Sequence, residues 1–213
     1  MLHFRSARIR RFTVIALAVF LLAVSIPLGL TLARRMGEPK EVSAMRRVEI
    51  PAWIDEDIIR VNGAARRGIS LEGLTGIVIH YIGNPGTTAA QNRNYFNNPD
   101  TTVSAHFVVG LEGEIIQCVP LHEKSSASNH RNADTISIEV CHPDESGVFT
   151  DASYASLVRL TAWLCRECGF GADAVIRHHD ITGKACPLWF VEDPAAWETF
   201  LGDVEAELQK GEH

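Results

Sequence analysis

The segment Arg177-His178-His179-Asp180-Ile181-Thr182-Gly183-Lys184-Ala185-Cys186-Pro187 gathers imidazole, ammonium and thiol into one strand-to-loop turn, a composition hard to explain as core packing. A borderline-soft Zn²⁺ takes imidazole nitrogen and thiolate sulfur in tetrahedral geometry, and a catalytic site keeps its fourth position open. His80, His178 and Cys186 would fill the three protein positions. The spacing of one His and one Cys is only moderately specific, because a buried free Cys is usually a small hydrophobe. Residue chemistry alone leaves metal binding and plain burial both open.

These residues need elements to hold them. Gly76-Ile77-Val78-Ile79-His80-Tyr81 is a β-branched run of the kind that forms a strand buried on both faces, with His80 at its C-terminal end. Thr87 or Thr88 caps a short helix through Phe96, and residues 104–109 and 114–119 flank a Gly-rich turn as a hairpin. Over 135–141, Ile136, Ile138 and Val140 alternate with Ser137, Glu139 and Cys141, which predicts a strand with Glu139 off the apolar face. Leu157, Leu160, Leu164 and Cys168 recur at helical spacing and stop at Gly169. A strand over 174–178 follows, then a helix after Asp193-Pro194 with Trp197, Phe200, Leu201, Val204 and Leu208 on one face. This order predicts a mixed central α/β sheet flanked by helices, in which ligands gather at the C-terminal ends of strands. His80 and His178 both lie at such ends.

Charge is uneven along the 213 residues. The first 47 carry nine Lys/Arg against two acids, and the rest carry eleven against twenty-four, a formal charge of −13. An acidic domain without a basic stripe argues against nucleic acid as partner. Residues 12–33 are uncharged and predominantly apolar, matching the roughly 20 residues a helix needs to cross a bilayer. Arg5, Arg8, Arg10 and Arg11 precede them, which predicts a single pass with the N-terminus in the cytoplasm. The expected organisation is a basic segment at 1–11, a transmembrane anchor at 12–33, a juxtamembrane linker at 34–49 and a catalytic domain at 50–213. A cleaved signal peptide is the alternative, although the apolar run exceeds an ordinary h-region. Five cysteines cannot all pair within one chain. A Cys118–Cys141 bridge is one option, and Cys165 and Cys168 read as small apolar side chains on one helix face.

Four blocks in order, Val78-Ile79-His80-Tyr81, Ser104-Ala105-His106-Phe107, Ser137-Ile138-Glu139 and His178 followed by Gly183-Lys184-Ala185-Cys186-Pro187, carry a resemblance. Over residues 50–204 the chain resembles the zinc-dependent N-acetylmuramoyl-L-alanine amidases, relatives of phage lytic amidases and peptidoglycan recognition proteins. The resemblance implies one zinc ion held by His80, His178 and Cys186, and its spacing to Cys selects His178 over His179. It implies cleavage of the amide between N-acetylmuramic acid and L-alanine in bacterial peptidoglycan, outside the cytoplasm. Glu139 is then the general base and acid, taking a proton from the attacking water and passing it to the leaving nitrogen. Lys184 resembles the family's cation that polarises the scissile carbonyl. Some relatives place a Tyr where this chain has Ala105, which shifts acid/base duty towards Glu139. His106 is expected to border the substrate groove, and Asn129 and His130 to form a polar loop contacting sugar or peptide. His122 and His142 read as surface or supporting residues.

Two rival functions remain. Cys186 activated by His178 would make a metal-free Cys/His hydrolase. A peptidoglycan-binding receptor without catalysis is the other, and the presence of Cys186, Glu139 and Lys184 together favours an enzyme.

Overall fold

A computed structural model describes residues 37–210. The chain builds a six-stranded sheet of β1 (Asp55–Glu56), β2 (Gly76–Tyr81), β3 (Phe107–Val109), β4 (Ile115–Gln117), β5 (Thr135–Val140) and β6 (Val175–Arg177), in the order β1-β4-β3-β5-β2-β6. Every pairing is parallel except the β3–β4 hairpin. The helices are α1 (Lys40–Met45), α2 (Ala89–Phe96), α3 (Asp151–Cys168), α4 (His178–Thr182), α5 (Leu188–Glu192) and α6 (Pro194–Gln209).

Alternation along β2 and β5 separates two cores. Ile77, Ile79, Ile136, Ile138 and Val140 pack into the larger one with α3 and α6. Cys141, Val108, Ile116 and Phe96 belong to a smaller cluster that includes α2. Glu139 lies on the face away from the larger core, as the period of two requires. In the larger core Phe200 stacks on Phe190 at 5.2 Å between ring centroids, and Trp197 completes the aromatic group under α6.

Local sequence sets the helix ends. Thr88 and Gln91 form a reciprocal capping box at the start of α2. The Asp193 carboxylate accepts from the N–H groups of Ala195 and Ala196 ahead of Pro194. Gly169 ends α3 at φ 71°, a left-handed conformation that glycine adopts without a Cβ clash. α5 is a helix the periodicity reading did not anticipate, and the expected strand at 174–178 stops at Arg177. There the Asp180 carboxylate accepts from the Arg177 N–H at 2.8 Å, turning the chain into α4 with His178 as its first residue.

The expected fold needs one correction. The mixed α/β sheet is present, but no helix among the described residues is long and apolar enough to cross a membrane, so the spanning helix is not part of the described fold. The segment named for it, 12–33, lies outside those residues. Part of the expected linker is ordered structure. Val42 and Met45 of α1 enter the larger core, and Cys168 Sγ lies 3.9 Å from Met45 Sδ, so packed structure begins ahead of residue 50. All five cysteines are free, Cys118 and Cys141 included.

Candidate metal centre and groove

β2 and β5 run parallel with His80 opposite Glu139, so both side chains reach the same strand end from adjacent strands. β6 pairs with the other edge of β2 and delivers His178 as it turns into α4. The loop after α4 returns Cys186 beneath them, where His179 N–H donates to the Cys186 carbonyl at 2.8 Å. The ligand atoms of His80, His178 and Cys186 all fall within 4.8 Å of one another. Cys186 Sγ is 3.9 Å from His80 Nδ1, and Glu139 Oε1 is 4.0 Å from the same nitrogen.

The outer contacts leave one nitrogen of each ring free for a metal. His80 Nε2 lies 3.0 Å from Ser128 Oγ, and His178 Nε2 lies 3.0 Å from Asn129 Oδ1. With each Nε2–H donating outward, both Nδ1 atoms keep their lone pairs, the arrangement by which outer-shell partners fix a ligating imidazole. Ser128 and Asn129 are themselves held in place. Asn132 Oδ1 accepts from the N–H groups of Ala127 and Ser128 at 2.9 and 2.7 Å, and Asn129 sits at φ 55°, a left-handed conformation that Asn tolerates better than most residues.

The electrostatics fit a cation. Burial, then the charges of His178 and Lys184, drive His80 well below the usual imidazole range. Burial, then Lys184, lowers His178 as well, so both rings favour the neutral form that ligates metal. Burial pushes Glu139 up to about 8, partly offset by Lys184. Burial, then the Glu139 carboxylate, pushes the Cys186 thiol up to about 12, against the Tyr81 N–H and Lys184. Glu139 Oε2 is buried with no hydrogen-bond partner. Two neutral imidazoles, one thiol and one orphaned carboxyl oxygen suit Zn²⁺, which would reverse the upward shifts by supplying the missing positive charge.

This centre opens into a groove of about 710 Å³. Asn84, Thr87, Gln91 and Asn92 supply polar groups to its lining, and Tyr95 and Val103 apolar ones. Lys184 reaches it from the loop before Cys186. Sequence reasoning missed Ser128 and the α2 wall, since neither carries a motif.

Three expected substrate contacts sit elsewhere than the groove lining. His106 is fully buried just ahead of β3, beside β5, where Nδ1 accepts from the Ser137 N–H at 3.0 Å and Nε2–H donates to the Glu123 carbonyl at 2.8 Å. Burial pushes it down to about 4, so it is a neutral structural ring. Asn129 supports His178, and His130 lines a second, smaller cavity.

The fold and its strand-end cluster define an α/β domain with a His/His/Cys centre beside a buried carboxyl. Residues 71–189, more than half of the chain, match the family described as N-acetylmuramoyl-L-alanine amidase, and the chain belongs to that family. Among curated relatives, N-acetylmuramoyl-L-alanine amidase CwlL of Bacillus licheniformis is 30% identical over 170 residues, covering 72% of this chain and 47% of the relative. N-acetylmuramoyl-L-alanine amidase XlyA of Bacillus subtilis is 32% identical over 157 residues, covering 71% and 50%. This chain therefore spans about half the length of the curated relatives it matches. The solved catalytic domain of XlyA superposes with a TM-score of 0.63 at 29% identity, covering 71% of this chain and 98% of that one. PlyL shares the fold at a TM-score of 0.64 and 19% identity, covering 72% and 98%.

Proposed function

We propose that this protein is a zinc-dependent hydrolase that cuts the amide between N-acetylmuramic acid and L-alanine in bacterial peptidoglycan, on the wall side of the membrane, in wall remodelling or degradation. The observation that carries the reading is the convergence of His80, His178 and Cys186 within 4.8 Å, beside a Glu139 oxygen that is buried and unpaired. Family membership supplies the substrate class.

His80, His178 and Cys186 would hold the metal. When bound, zinc supplies a Lewis acid that polarises the scissile carbonyl and makes water nucleophilic near neutral pH. Glu139 takes the proton of the attacking water and returns it to the departing alanine nitrogen, so that a neutral amine leaves. The ammonium of Lys184 stabilises the oxyanion as the carbonyl becomes tetrahedral. Tyr95, Val103 and the polar wall of α2 line the groove that leads to the centre, where they would contact the substrate.

Cys186 is a poor candidate for a metal-free nucleophile. Its side chain is buried and its thiol is pushed up to about 12, whereas nucleophilic cysteines are activated by a lowered pKa. Zinc content and release of L-alanine-terminated peptides from peptidoglycan test the reading together. Wild type is expected to hold one zinc and cleave. Cys186→Ser should lose the metal, and Glu139→Gln should keep it while losing about 10²- to 10⁴-fold in rate. Cleavage that survives complete zinc removal would refute the mechanism.

A further inference from the structure

His142 stands just beyond the end of β5, and only 2% of its surface reaches solvent. Its Nδ1 lies 2.7 Å from the Asp144 carbonyl oxygen, and its Nε2 meets the Ile82 carbonyl oxygen. A carbonyl oxygen only accepts, and a neutral imidazole has a single N–H to give. In either neutral tautomer one ring lone pair would face a carbonyl oxygen at hydrogen-bond distance. The imidazolium, with an N–H on each nitrogen, satisfies both partners.

A buried charge needs partners, and the surroundings provide them. Besides the two carbonyls, the Tyr81 ring lies against the imidazole, 5.0 Å between centroids and tilted by 32°. The Ser146 hydroxyl and N–H, and then the charge of His142, hold the Asp144 carboxyl below its ordinary range, against desolvation. Asp144 on its own loop and Tyr81 on β2 are the titratable groups that face the ring, and Cys141 precedes it in the chain. Burial, then the charges of Cys186, Glu139, Glu145 and Glu192, raise the Tyr81 phenol, and burial pushes the Cys141 thiol up to about 12. Of this group, the imidazole is the side chain whose type changes charge near neutral pH.

The tie joins two strand ends at the mouth of the groove. Ile82, Gly83, Asn84 and Thr87 line the groove, and the same loop runs into the Thr88 cap of α2. Ile82 N–H donates to the Val140 carbonyl at 2.9 Å, and Gly86 N–H donates to the His142 carbonyl at 2.8 Å. His142 therefore grips this loop twice, by its ring at Ile82 and by its own carbonyl at Gly86, while Nδ1–H secures the turn at Asp144. We propose that His142 is a positioning residue which, as an imidazolium, fastens the groove wall of residues 82–87 to the end of β5, so that substrate affinity depends on its second ring proton. Loss of that proton frees one of the two carbonyls and loosens the wall without touching the reacting atoms. This inference rests on the amidase reading for the identity of the substrate, whereas the tie itself is a property of the fold.

Nitrogen NMR of the zinc-loaded wild-type protein reads the ring directly. Two protonated ring nitrogens are expected for His142 at about pH 6, and as pH rises the backbone amides of Gly83 and Gly86 should shift with the same midpoint as the ring. A ring with one protonated nitrogen at about pH 6, or loop amides that do not follow its titration, would overturn the proposal. Kinetics with a muramyl peptide supply the second arm, using His142→Gln, which offers donors from one nitrogen only. After thermal melts show that it folds, its KM is expected to be about tenfold above wild type below the ring's midpoint, the scale of one charge-assisted hydrogen bond, at unchanged kcat. The gap should close above the midpoint, where the wild-type ring has lost the same bond. A variant with wild-type KM on both sides of the midpoint, or one that loses kcat at unchanged KM, counts against the role. If His142→Gln does not fold, the wild-type spectra decide alone. If wild type cleaves no muramyl peptide, the amidase reading fails, while the ring nitrogens and loop amides still establish or refute the tie.

Discussion

Asn129 and Ser128 sit where a search for catalytic types would pass over them, yet each meets the outer nitrogen of one candidate metal ligand at 3.0 Å. An imidazole that can rotate or change tautomer loses part of its affinity, because the correct nitrogen must be selected anew in each binding event. Asn129→Ala removes the acceptor that fixes His178 without touching a ligand atom. Zinc affinity, measured by competition with a chelator of known strength, is expected to fall about 10- to 100-fold. An unchanged affinity would mean that α4 alone orients the ring.

At the scale of elements, the sheet supplies the positions and the helices supply the stability. β2, β5 and β6 are adjacent and parallel, so their C-terminal ends open on one side and His80, Glu139 and His178 arrive together there. The packing behind them extends to α1, whose Met45 is buried against Cys168 at the end of α3. Met45→Ala is expected to destabilise the domain by about 2 kcal/mol or more, read as a lower urea midpoint at unchanged slope. A variant as stable as wild type would show that α1 merely rests on the surface.

For the whole molecule, the buried carboxyl of Glu139 sets a pH dependence of folding when metal is absent. Its folded pKa of about 8 stands above the ordinary value of 4.5, so between those limits the native state holds a proton that the unfolded state has lost. The favourable contribution is complete below pH 4.5 and disappears as pH rises through 8. In the presence of a chelator, Glu139→Gln should match wild type near pH 4 and become the more stable of the two by pH 8. A tenfold difference in proton affinity between the folded and unfolded chain corresponds to about 1.4 kcal/mol, which sets the scale of the effect. Urea melts across that range check it, and parallel curves for the two proteins would contradict the assigned burial effect.

Much of this was legible in the residues. The β-branched run ending at His80, the alternation that turns Glu139 off the apolar face, and the caps at Thr88, Gly169 and Asp193 depend on interactions spanning a few positions, which a linear sequence displays directly. The chemistry of His80, His178 and Cys186 was equally visible as a donor set, although their approach to within 4.8 Å required the sheet order. Tertiary structure alone turned His106 inward to Ser137 and Glu123, drew Met45 into the core and gave His130 to a second cavity. It also joined Ser128 to His80 and Asn129 to His178, across 48 and 49 residues of chain. Contacts that distant leave no period and no motif. They follow from where β5 and the turn before it lie against β2 and β6, which packing decides and local sequence does not.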